Sequence, residues 1–234
     1  GEISGMEALL RWQPAGRSLV GPDEFIPILE DTGLIIPVGE WVVATVCAQI
    51  RTWQAEGITP RPVAVNLSAR QFRQRNLAAV FGDILVASGI DPALLELELT
   101  ESSLMSDSEG AVQALLEMKA RGIRLSVDDF GTGYSSLAYL KRFPLDSLKI
   151  DRAFIRDVTT DADDATIALT IINLARSLQL KVVAEGVETQ EQLEFLCEHG
   201  CDEIQGYYFS KPLPCEGITA ALRAGHRLAL PAHI

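Results

Sequence analysis

No apolar run in this sequence reaches the roughly 18 residues that a membrane-spanning helix requires, so no bilayer segment is expected within it. The opening GEISGMEALLRW has no basic stretch followed by an apolar one, so a secretory leader is not expected either. A cytoplasmic location is the resulting expectation, alone or as the cytoplasmic part of a larger membrane-anchored protein. Positive charge is scarce: 20 Lys and Arg stand against 32 Asp and Glu, a formal net charge of −12. That balance argues against DNA, RNA or an anionic membrane as a broad electrostatic partner. A small anionic substrate stays compatible with it if cations sit between phosphate and protein. Cysteine is sparse as well, with only Cys47, Cys197, Cys201 and Cys215. Four thiols in this length suit a reducing compartment better than a disulfide framework. Cys197, His199 and Cys201 fall at a helix end with no second ligand pair nearby, which favours buried thiols over a zinc site.

A Pro/Gly/Ser-rich linker is also missing, and 234 residues suit one α/β barrel. The whole span 1–234 therefore reads as a single domain. It reads as N-terminally incomplete, because it opens abruptly in what looks like the middle of a hairpin. Seven short apolar runs are present: ISGMEALL, PVAVNLS, LLELELTES, RLSVDDFG, SLKIDR, LKVVAEGVE and EIQGYYFS. They alternate with amphipathic stretches such as EGAVQALLEMKARG and TIALTIINLARSLQL, which carry apolar residues at three- and four-residue spacing. Gly57, Gly89, Gly122 and Gly200 are placed to close helices. Asp91-Pro92 and the cluster Asp161 to Asp164 read as helix entries. Such alternation predicts a mainly parallel sheet, and the fold class expected is a (β/α)8 TIM-like barrel with its first strand missing. An open doubly wound sheet is the rival, but the glycine-rich phosphate turn it usually carries is not visible.

Polar residues fall at regular places in these runs. Each begins apolar and acquires a polar residue towards its C-terminal end: Glu7, Asn66, Glu98, Asp128 with Asp129, Lys149, Glu185 and Gln205. In a parallel barrel those ends meet at one rim, where sites of this fold are built. Burying five or six carboxylates without partners costs several kcal/mol per ion, so a cation is expected among them. One lysine is too little. Oxygen donors without histidine suit Mg²⁺ or Mn²⁺ rather than zinc. The adjacent Asp128 and Asp129 could let one carboxylate bridge two ions while the other holds only the second, a recurring arrangement in phosphate-ester cleavage. Asp129-Phe130-Gly131 also matches the metal triplet of protein kinases, but the accompanying kinase signatures are missing. Spacing alone does not separate Glu98 from Glu101, but Glu96 sits low in its strand and Glu101 reads as a loop or helix-entry residue; Lys149 has Asp151 as an alternative structural partner.

These residues resemble the EAL-domain phosphodiesterases of bacterial second-messenger signalling. Glu7-Ala8-Leu9 stands in GMEALLRW, followed in order by VNLSARQF, ELELTES, VDDFGTGYSSL, LKIDRAFI, VVAEGVET and IQGYYFSKPLP, from residue 3 to about residue 214. The resemblance implies hydrolysis of cyclic di-GMP to linear pGpG. It implies that Glu7, Asn66, Glu98 and Asp128 hold one Mg²⁺ or Mn²⁺, and that Asp128, Asp129 and Glu185 hold a second. A water between the ions would be the nucleophile, oriented by Lys149, with Glu185 as general base. Arg11 and Gln205 match positions that bind the dinucleotide, and Glu188 one that steadies the loop from Phe130 to Ser136. The FGTGYSSL loop implies a homodimer, and sensory or GGDEF domains commonly flank this domain. The family's usual first strand, antiparallel and carrying a substrate-positioning glutamine, is not in the sequence, so an unpaired edge is expected. A receptor that binds cyclic di-GMP without cleaving it is the alternative, although such members usually have altered metal residues. A third reading, another metal-dependent barrel enzyme such as an enolate-forming lyase, would need no dinucleotide-sized groove.

Overall fold

A computed structural model of the chain describes residues 1–105, 108–133 and 137–229. Its strands are β1 (Met6–Ala8), β2 (Val63–Asn66), β3 (Leu95–Thr100), β4 (Arg124–Phe130), β5 (Ser147–Ile150), β6 (Lys181–Glu185) and β7 (Glu203–Gln205). The first two connections carry α1 (Pro22–Thr32), α2 (Ile35–Ala55), α3 (Ala69–Phe72) and α4 (Leu77–Ser88). Further along lie α5 (Glu101–Met105), α6 (Ser108–Lys119), α7 (Leu137–Leu140), α8 (Arg152–Arg156), α9 (Ala162–Ser177), α10 (Gln190–Glu198) and α11 (Cys215–Ala224). The seven strands form one sheet in sequence order, each parallel to the next. A doubly wound sheet reverses its strand order at a switch point, so that rival is excluded.

Among the described residues, no strand pairing joins β7 back to β1. The expected open edge is therefore present, but it is bridged in other ways. Glu2 and Arg227 form an isolated antiparallel bridge, and the Gly1 amino group donates to the Leu228 carbonyl at 2.8 Å. Ser4 Oγ donates to Glu203 Oε2 at 3.0 Å.

Side-chain alternation sorts the strands into two faces. On β3, Leu95, Leu97 and Leu99 are wholly buried on the face that carries the hydrophobic core. Glu96 and Glu98 point the other way, into the barrel. All four residues of β5 are buried, as expected of a wall covered on both sides. Each fully buried leucine contributes roughly 1.5–3 kcal/mol of burial free energy. Helix entries follow the sequence signals. Asp161 accepts from the N–H groups of Asp163 and Asp164 at the start of α9, and Asp91 from that of Ala93 in a short 3₁₀ turn. Ser68 with Gln71, and Thr189 with Gln192, form reciprocal capping boxes that open α3 and α10. The four glycines expected to end helices all have positive φ, between 68° and 86°.

Candidate metal centre

Parallel register brings the C-terminal strand ends to one place: Asn66 stands beside Glu98, Thr100 beside Asp128, and Glu185 beside Gln205. Lys149 on β5 is the hub. Its Nζ lies 2.5 Å from Glu185 Oε1, 2.9 Å from Glu98 Oε1, 3.5 Å from Asp128 Oδ1 and 3.9 Å from Glu7 Oε2. These are charge contacts by distance rather than well-directed hydrogen bonds. Lys149 is 3% exposed and Glu98 4%. Glu7 is fixed by amides: Asn66 Nδ2 donates to its Oε1 and Gln205 Nε2 to its Oε2, both at 2.6 Å. Asp128, Asp129 and Glu185 each bring a carboxylate oxygen within 4.8 Å of the other two. Consecutive strand residues normally face opposite sides, but Asp129 has a left-handed φ of 53° and the β4–β5 register shifts between Val127 and Phe130. That kink turns both aspartates to the same side.

Four carboxylates thus share one buried ammonium, with Asp129 beside two of them, and the field shows in the protonation of Glu98, Glu185, Asp129 and Lys149. Burial pushes Glu98 well above the ordinary glutamate range; Lys149 opposes the rise, and Glu7 and Asp128 add to it. Glu185 is raised to about 7, first by burial, with Asp128 and Glu7 reinforcing it against Lys149. Asp129 reaches about 6 through burial, a hydrogen bond with Asp151 and the charge of Asp128. Burial disfavours the charge on Lys149, but Glu98, Glu185, Glu7 and Asp128 more than offset that and raise its pKa.

The donor set fits hard divalent cations. It is all oxygen, it carries excess negative charge, and Glu98 Oε2 is buried without a hydrogen-bond partner. Among the described residues, Asp128, Asp129 and Glu185 are the His/Cys/Asp/Glu group close enough to share an ion. The thiols serve otherwise: Cys201 Sγ donates to the Glu203 carbonyl at 3.2 Å, and burial pushes its pKa up to about 12. Asp151 is not the partner of Lys149; it caps α8, accepting from the Ala153 N–H at 2.6 Å. Glu96 lies below the rim, where Ser147 Oγ donates to it at 2.8 Å.

Glu101 stands at a helix entry as expected, and its contacts are what spacing left unassigned. It opens α5, is 3% exposed, and its Oε2 accepts from the Gly131 N–H at 3.1 Å. A side chain on Gly133 would come within 2.8 Å of Glu101 Oε1, so the carboxylate braces the segment that follows Asp129. Glu188, expected to steady this loop, donates its backbone N–H to Gln192 Oε1 at 2.7 Å. Residues 134–136 of the loop lie outside the described residues. Arg11 lies just beyond β1, where it is exposed and its Nη1 donates to the Leu10 carbonyl at 2.8 Å.

The family model that matches is described as EAL domain and covers residues 1–212. The chain belongs to the EAL domain family. It is 46% identical over 222 residues to the Pseudomonas aeruginosa bifunctional diguanylate cyclase/cyclic di-GMP phosphodiesterase MucR, covering 95% of this chain and 32% of that protein. It is 40% identical over 214 residues to the Escherichia coli cyclic di-GMP phosphodiesterase PdeR, covering 92% of this chain and again 32% of the relative. This EAL domain thus spans about a third of either relative's length. Among solved structures, the MucR phosphodiesterase in complex with c-di-GMP superposes with a TM-score of 0.87 at 46% identity, covering 91% of this chain and 86% of that one. An EAL domain protein from Listeria monocytogenes gives 0.82 at 33% identity, covering 93% and 85%. The parallel curled sheet is the barrel architecture of these EAL neighbours.

Proposed function

We propose that this EAL domain hydrolyses cyclic di-GMP to linear pGpG with two Mg²⁺ or Mn²⁺ ions. The observation that carries the reading is the convergence of four carboxylates on a single buried lysine, with Asp129 beside two of them and Glu98 Oε2 left without a partner. Glu7, Asn66, Glu98 and Asp128 would hold one ion, and Asp128, Asp129 and Glu185 the second. When bound, such ions lower the pKa of water and clamp the attacking and leaving oxygens of a phosphodiester.

The chain's own groups do the rest. Lys149 stays protonated, orients the attacking water and offsets negative charge developing at phosphorus. Glu185, with a pKa raised to about 7, is suited to take a proton at neutral pH. Arg11 and Gln205 offer N–H donors to the phosphates. Glu188 adds to the steadying of the 130–136 loop, through which a homodimer would form. Residues 1–234 act as one domain of a longer signalling protein, beside sensory or GGDEF modules, at the cytoplasmic side.

Chromatography of cyclic di-GMP after incubation with the chain and Mg²⁺ tests this, with pGpG as the expected product. Glu7→Ala, which removes an ion ligand, should abolish turnover while leaving the chain folded. Nucleotide that is bound but recovered intact from the unsubstituted, Mg²⁺-loaded chain would overturn hydrolysis and mark a receptor.

A further inference from the structure

We propose that Gln205 is a positioning residue for Glu7, its amide clasping the last strand to the first across an edge that no backbone pairing closes. This clasp rests on the metal-site reading above.

Glu7 sits on a three-residue strand that is hydrogen-bonded to β2 alone. Its carboxylate faces Glu98, Asp128 and Glu185 across Lys149, and Lys149 is closer to each of those three than to Glu7, at 2.5–3.5 Å against 3.9 Å. The cation therefore does not fix the side chain, and like charge pushes it outward. Two neutral amides hold it, one on each oxygen, both at 2.6 Å. A carboxylate only accepts, so in both cases the amide nitrogen must be the group that faces it. Asn66 approaches from the paired strand β2. Gln205 approaches from the unpaired side and spans 198 residues of sequence.

Gln205 is itself rigidly mounted. The Val187 N–H donates to the Gln205 carbonyl at 3.1 Å and the Tyr208 N–H to the Val187 carbonyl at 3.0 Å. This crossing is possible only because residue 206 is glycine: a Cβ there would lie 2.1 Å from the Val187 oxygen. An amide on so fixed a turn can set the orientation of a ligand, the work that outer hydrogen-bond partners do at metal sites. The amide has two N–H groups and the bond to Glu7 uses one. The other can serve a phosphate, so one residue would link ion ligand and substrate.

Gln205→Leu replaces the amide with an apolar group and removes the donor. Mn²⁺ titrated calorimetrically without nucleotide should bind about 10–100-fold more weakly, the usual effect of losing such a partner. KM for cyclic di-GMP should rise as well, because the variant also loses the N–H offered to phosphate, so the Mn²⁺ titration without nucleotide is the readout that isolates the clasp. Amide hydrogen exchange over Met6–Ala8 should quicken, with β4 unchanged. Gln205→Asn, one methylene too short to reach Glu7, carries the same test if the leucine variant does not fold. Unchanged Mn²⁺ affinity and unchanged exchange, with a raised KM, would make Gln205 a substrate contact only and overturn the clasp. If the unsubstituted chain binds no divalent ion, the metal-site reading fails, and the exchange over residues 6–8 decides the clasp by itself.

Discussion

At the scale of single residues, the centre is a balance of charge, and pH tips it. Glu185 has an ordinary pKa of 4.5 and reaches about 7 in the fold; Asp129 moves from 3.8 to about 6. A carboxylate raised by folding is protonated in the folded chain at a pH where the unfolded chain has already lost that proton. Its penalty is absent below the unfolded pKa and grows until pH passes the folded one, at about 1.4 kcal/mol for each pH unit that separates the two values. The metal-free chain should therefore lose stability as pH rises from about 4.5 to about 7, the reverse of an ordinary ion-paired carboxylate. Urea unfolding with a chelator present, at about pH 5.5 and about pH 8, checks this. Greater stability at the higher pH would show that Glu185 and Asp129 are not so raised. On the proposed function, saturating Mg²⁺ should flatten the difference, because a divalent ion would bind the ionised form.

At the scale of elements, the turn after β7 and the helix ends give a paired prediction. Gly206 faces backbone that cannot move aside, whereas Gly57, with φ 73°, has nothing within 4 Å of a Cβ. Gly57→Ala should cost only the left-handed backbone strain of about 1–2 kcal/mol. Gly206→Ala should cost more than that and also slow catalysis, because it displaces Val187 and Gln205. Thermal melts and turnover rates of the two variants separate these outcomes, and equal behaviour would refute the crossing. Much of this level was legible in the sequence. The polar end of each strand, the helix-closing glycines and the Asp161 cap are local signals, readable within a few residues. The bond from Gly131 to Glu101 and the bond between Gln205 and Glu7 were not. Glu101 follows Glu98 by three residues, and only the break from β3 into α5 after Thr100 decides that it turns towards Gly131 rather than the rim. Gln205 meets Glu7 through sheet closure, which no local pattern encodes. The kink at Asp129 was equally hidden, since Asp-Asp reads in sequence as an alternating pair.

At the scale of the molecule, the proposed function pairs an acidic chain with a dianionic nucleotide. The net charge of −12 repels such a substrate at long range, and salt screens that repulsion over a Debye length of about 8–10 Å near physiological strength. Raising monovalent salt from about 10 mM to about 150 mM, with divalent ions saturating, should therefore raise kcat/KM. Steady-state kinetics across that range test it, and a steep fall would mean that a local positive field governs encounter instead.

The strand order has one more consequence. The first proposed ion ligand stands at position 7 and the amide bonded to it at position 205, with the other proposed donors on β2, β3, β4 and β6 between them. A chain emerging from the ribosome carries the acidic fragments singly, each too weak to keep an ion. On the proposed two-ion function, cation capture must wait until every strand through β7 has been made and folded. Tight uptake of Mn²⁺ thus reports a finished barrel, and a nascent or clipped chain should pass through the cell without sequestering metal.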